Sequence, residues 1–86
     1  MIWRKHHYDT WIEYSASCGP VTFWISSETD GTFETVIHYA GYSKRVVLSG
    51  SIDEVKMYCK QRAIELIEET LLAIRSLENN TEYEPR

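Results

Sequence analysis

Ser51-Ile52-Asp53-Glu54 divides this chain into two stretches of different periodicity. The four residues form a capping box. The Ser51 hydroxyl is placed to accept from the backbone N–H of Glu54, and the Glu54 carboxylate to reach back to the N–H of Ser51. Asp53 and Glu54 also put negative charge where a helix dipole favours it. From there to Leu77 neither Pro nor Gly interrupts, and strong helix formers dominate. The spacing predicts one long helix over 51–77, with Gly50 ending whatever precedes it.

Upstream of Gly50 the apolar period is two. Thr10 to Ala16 alternates β-formers and reads as a first strand. Ser17-Cys18-Gly19-Pro20 supplies turn chemistry, and Val21 to Glu28 is a second strand. Thr29-Asp30-Gly31-Thr32 holds the Asp-Gly pair favoured by two-residue type I′ hairpins. Phe33 to Ala40 is a third strand, Gly41-Tyr42-Ser43 turns the chain again, and Arg45 to Ser49 is a fourth. Ile2 to Tyr8 either extends the first strand or adds a short one. The expected class is α+β: an antiparallel meander of about four strands followed by one long amphipathic C-terminal helix. It forms a single domain over 1–79, with a flexible acidic tail over 80–86.

Strand alternation sorts the side chains onto two faces. Ile12, Tyr14, Val21, Phe23, Ile25, Phe33, Ile37 and Tyr39 suit a core under the helix. The other face then carries Trp11, Glu13, Thr22, Trp24, Ser26, Glu34, Val36, His38 and Arg45. Most of these are polar, as a solvated face requires, but Trp11 and Trp24 are not. Either they form an exposed amphipathic patch near Val36 and His38, of the kind that marks interaction sites, or the N-terminal segment with Trp3 and Tyr8 folds back to cover them.

The helix also carries more apolar surface than one sheet needs. Ile52, Val55, Cys59, Ala63, Leu66, Ile67, Ile74 and Leu77 form the expected core stripe. Met57, Ile64 and Leu71 form a second row on one flank, and Glu54, Gln61, Glu65, Glu68 and Glu69 mark the polar side. The combined arc is about twice the ~100° that a core-facing helix requires. Either the sheet curls to cover the flank, or the flank packs on a partner helix, most simply its own copy. Self-association is the favoured reading, because 86 residues bury only about 60–65% of their unfolded surface.

The bulk composition narrows the function. A net charge of −4, with basic residues clustered only at Arg4-Lys5 and Lys44-Arg45, argues against duplex nucleic acid as the partner. No apolar run approaches the ~20 residues of a membrane span, and the start lacks the apolar region of a secretion signal. Cys18 and Cys59 then read as free thiols in a reducing cytoplasm. Asn79-Asn80-Thr81 matches a glycosylation sequon by chance on that reading.

His6, His7 and Asp9 crowd together, but their spacing fits no zinc pattern, so neither metal nor cofactor is expected. Cys18 with His38 as nucleophile and base lacks an orienting acid or an oxyanion hole by motif. Gly41-Tyr42-Ser43-Lys44 lacks phosphate-loop glycine spacing. Tyr42, Lys44 and Arg45 remain candidates for contact with an anionic group at the rim of the Trp11, Trp24 and His38 patch.

An opening Trp3-Arg4, a compact meander with a Thr-Asp-Gly-Thr turn, and Ser49-Gly50-Ser51-Ile52-Asp53-Glu54-Val55 leading into a closing helix resemble small accessory proteins of bacteriophages. The likeness covers Trp3 to about Leu77 as a style of sequence and carries over no functional residue. It implies a non-enzymatic protein that works by binding, often by inhibiting a host defence or regulatory protein in the host cytoplasm. An oligomer that sequesters a small nucleotide signal is the second expectation, and a small hydrolase or metal-binding protein the third.

Overall fold

The structure is a computed structural model that describes residues 2–79, with side chains placed through Leu77. The tail expected over 80–86 lies outside the described residues. Five strands form one antiparallel sheet in the order of the chain: β1 (Arg4–His7), β2 (Ile12–Cys18), β3 (Val21–Ser27), β4 (Phe33–Tyr39) and β5 (Tyr42–Leu48). The helix α1 (Ile52–Asn79) follows. The α+β meander with its closing helix is as the sequence predicts, with one strand more. The added strand is β1, which pairs Arg4 with Ser15 and His7 with Ile12.

The turns differ from the sequence reading in an informative way. Asp30-Gly31 is not a two-residue turn. Ser27 pairs with Phe33, and the N–H of Gly31 donates to the carbonyl of Glu28 at 3.3 Å. Only Gly31 in this loop has positive φ, at 83°. That is a type I turn closed by a left-handed glycine, the usual three-residue hairpin. Asp30 Oδ1 accepts from the N–H of Thr32 at 3.0 Å and from its hydroxyl at 2.6 Å, which holds the Asp30 carboxyl below its ordinary pKa. The two-residue hairpin with positive φ at both positions is instead Ala40-Gly41, at 49° and 81°. The turn therefore sits one residue earlier than the Gly41-Tyr42-Ser43 reading, and β5 starts at Tyr42.

One sheet face is the core. Val21, Phe23, Ile25 and Ile37 meet Val55, Cys59, Ala63 and Leu66 of the helix, and all eight are buried. Burial pushes the Cys59 thiol up to about 12, so it stays neutral and unreactive. The helix starts as the capping box predicts: the N–H of Glu54 donates to Ser51 Oγ at 3.2 Å. The Glu54 carboxylate meets the Ser51 hydroxyl, at 3.3 Å, in place of the Ser51 N–H. On the β1 side, Trp3 tilts against Phe23 with ring centroids 6.2 Å apart, and Lys56 lies over both Trp3 and Tyr14. The N-terminal segment thus seals the edge of the core and does not lie across the middle of the opposite face, where Trp24 stays half-buried.

The apolar stripe of the helix outruns the core. Ile67, Ile74 and Leu77 were expected in it, yet they are 38%, 50% and 75% exposed. The reason is length. A helix of 28 residues rises about 42 Å, whereas a seven-residue strand spans only about 23 Å. The Thr70 hydroxyl meets the Tyr39 hydroxyl at the end of β4, and beyond that point α1 has no sheet beneath it. The radius of gyration is 17.0 Å, against about 12 Å for a compact chain of this length.

Thr35 is the one buried polar residue among the described core positions, and its hydroxyl has no hydrogen-bond partner. An unmatched hydroxyl costs about 1–3 kcal/mol to bury. Thr35→Val keeps the shape and removes that cost. It is expected to raise stability by about 1 kcal/mol in urea denaturation, and a lower midpoint would show that the hydroxyl is satisfied.

Candidate functional site

Among the described residues, the face of the sheet away from α1 has no layer over it. Its side chains follow from the register. Arg4 pairs with Ser15, Ser15 with Trp24, Trp24 with Val36, and Val36 with Arg45, so one row crosses all five strands with Trp24 at its middle. The row above it is Ser17, Thr22, His38 and Ser43. The row below is His6, Glu13, Ser26, Glu34 and Val47. Such rows place neighbouring side chains about 5 Å apart across the sheet, close enough to act together.

Trp24 is half-buried. The His38 ring stands edge-on to it, with centroids 4.8 Å apart and planes at 84°. His38 Nε2 lies 3.3 Å from the Ser43 hydroxyl, which fixes the ring in that pose. Beside Trp24 a shallow cleft of about 460 Å³ is bounded by Ile2, Arg4, Ser15, Ser17 and Thr22. The Arg4 guanidinium makes no ion pair or hydrogen bond to any described residue, while Arg45 Nε contacts Glu34 Oε1 at 2.8 Å. The Arg45–Glu34 pair is open to solvent on the arginine side, so it is worth about 0–1 kcal/mol and exchanges readily for another carboxylate.

The residues singled out from sequence are not all brought together. Trp24, His38 and Arg45 share the uncovered face as expected. Trp11 is on that face too, but four positions along the strand direction from the Trp24 row, about 13 Å away. It stacks on Tyr8 with centroids 4.5 Å apart, yet both rings stay exposed, Trp11 at 44%, so the N-terminal segment touches Trp11 without covering it. The Glu13 carboxylate near the Tyr8 hydroxyl raises the pKa of the phenol. Tyr42 and Lys44 point to the other face. Tyr42 pairs with Tyr39, and Lys44 with Ile37, both on the helix side of β4. The two-residue Ala40-Gly41 turn, which pairs Tyr39 with Tyr42, sets that parity.

The chemical candidates separate in the same way. Cys18 shares the helix-side parity of Tyr14 and Ala16, whereas His38 faces outward, so the two do not form a nucleophile and base. His6 and His7 alternate to opposite faces of β1. Among the described residues no three His, Cys, Asp or Glu side chains gather as a metal would require. Arg4 and Ile2 were missed as neighbours of Trp24. Alternation through Trp3-Arg4-Lys5-His6 would have found Arg4 once that segment was taken as a strand.

A larger concavity lies elsewhere. A groove of about 770 Å³ runs along the flank of α1, between Met57, Ile64 and Ile67 on the helix and Trp3 and Cys18 at the β1–β2 side. Lys60 and Glu68 stand along it. No described helix is long and apolar enough to cross a membrane. Comparisons with protein-family models, with curated proteins and with solved structures find no match to the chain.

Proposed function

We propose that this chain is a non-enzymatic binding protein whose uncovered sheet face, centred on Trp24, meets a protein partner. The observation that carries the reading is the row Arg4, Ser15, Trp24, Val36, Arg45. It sets one large aromatic between two guanidinium groups on a face that no other described element covers. Trp and Arg dominate interface hot spots, because each pairs a large desolvated area with directional donors. The flat face suits a protein surface, and the arginines suit carboxylates on it. The likeness to phage accessory proteins makes that partner a host protein and makes inhibition the consequence of binding. Trp11 with Tyr8 and His38 extend the contact, and Tyr42 and Lys44 fall outside it.

Trp24→Ala tests the reading. The side chain lies outside the core, so the variant is expected to stay folded by circular dichroism. Its affinity for the protein captured by wild type is expected to fall by at least about 30-fold, the loss typical of a central hot spot. Equal capture by wild type and variant means that the sheet face is not the site. If nucleotides alone raise the wild-type melting temperature and no protein is captured, sequestration of a nucleotide replaces this reading, since a ligand of the folded state stabilises it by mass action.

A further inference from the structure

We infer that the flank of α1 is the interface of a homodimer in which two copies pack their helices antiparallel. Two rows of residues carry the inference. Met57, Ile64 and Leu71 repeat every seven residues, and Lys60, Ile67 and Ile74 repeat every seven beside them. Interleaved, they step three and four residues at a time, which is the seam of a two-helix coiled coil. Every apolar member is exposed in the single copy: Met57, Ile64, Ile67, Leu71 and Ile74 all remain in contact with solvent. The sheet curls over none of them, and the 770 Å³ groove beside Met57 and Ile64 is the space that a second helix would enter.

The size of the surface fits this occupant. With Leu77, the exposed parts of these side chains amount to on the order of 500 Å² per copy. Two copies would thus bury on the order of 1,000 Å² of apolar surface, the level that a specific interface has to clear. The overhang beyond Thr70 gives the same answer from shape. Leu71, Leu72, Ile74 and Leu77 project with no layer under them. A two-fold axis between Ile64 and Ile67 lays each overhang along the groove of the other copy.

Charge selects the orientation. In a parallel pair each Lys60 would face the Lys60 of the second copy, which is repulsive. In the antiparallel pair Lys60 is level with Leu71 of the second copy, within reach of that copy's Glu68. Within one chain Lys60 and Glu68 are eight residues apart and make no ion pair. Any coupling between them is therefore between copies. The helix flank is a different surface from the sheet face, so the two can be occupied together.

Light scattering on the full chain tests the assembly. At about 100 µM, above the dissociation constants usual for interfaces of this class, wild type is expected at twice the 10.1 kDa chain mass. Ile64→Glu is expected to weaken the dimer at least ~30-fold. Leu71→Glu, on the overhang, serves the same purpose if Ile64→Glu fails to fold. Lys60→Glu and Glu68→Lys are each expected to weaken it by about 3-fold or more, and the double variant to restore it. A monomeric wild type, including one whose flank binds an apolar dye instead, overturns the proposal. So does a dimer that survives both Glu substitutions, and a double variant without restoration overturns the antiparallel arrangement.

Discussion

Phe23→Ala is expected to cost about 3–5 kcal/mol, measured as the drop in unfolding free energy in urea. Phe23 is wholly buried at the middle of β3, the central strand. It pairs with Ala16 on one side and Ile37 on the other, and its ring meets Trp3. Ala16 is too small to fill the space left behind, and the sheet backbone holds its neighbours in place. The cavity therefore stays open, which is the case in which truncation costs most. A chain of 86 residues has roughly 4–13 kcal/mol of stability in all. The substitution thus removes about a quarter of the total or more, and near the lower end it unfolds the protein. A loss under about 1 kcal/mol would mean that the core is not centred on β3. Trp24→Ala on the same strand, one residue away but on the other face, is the internal control: it deletes a larger side chain and is expected to cost less.

Phe23 and Trp24 also mark what the sequence made legible. Alternation separated them correctly because a strand with one covered face must place apolar groups at every second position. β1 was not legible in that way. Arg4-Lys5-His6-His7 has no apolar member, and all four residues are exposed. Its conformation is set by pairing with β2, a contact that no local pattern encodes. The turns show a second limit. Asp-Gly is the stronger turn signal, yet the two-residue hairpin formed at Ala40-Gly41, where Ala40 accepts a positive φ because the ladder from Tyr39 to Tyr42 requires it. The two-residue turn, by pairing Tyr39 with Tyr42, puts Tyr42 and Lys44 off the proposed face and Arg45 on it. Periodicity also reports that a helix face is apolar without reporting what covers it. Ile67, Ile74 and Leu77 continue the core stripe in sequence after the sheet has ended in space.

The clearest measure of where the helix stops belonging to its own domain is a matched pair of aliphatic-to-aspartate substitutions. Val55→Asp is expected to destroy the cooperative unfolding transition. Val55 is 1% exposed and packs on the sheet in the first turns of α1. Removing it forfeits about 2 kcal/mol of burial, and the carboxylate that replaces it is charged, unpaired and cut off from water, which costs several more. Together these match the whole stability of the domain. Ile74→Asp makes the same chemical change at a position that is 50% exposed, with no sheet beneath it. In the isolated chain it is expected to change stability by less than about 0.5 kcal/mol, as a solvated surface site does. Thermal melts at low concentration separate the two. If Ile74→Asp were as damaging as Val55→Asp in dilute solution, the overhang would be held by its own chain, and the dimer would lose its reason. If it were silent when dilute and destabilising only when concentrated, the apolar surface past Thr70 would be contributing its burial between copies, where a second chain supplies the layer that the sheet is too short to provide.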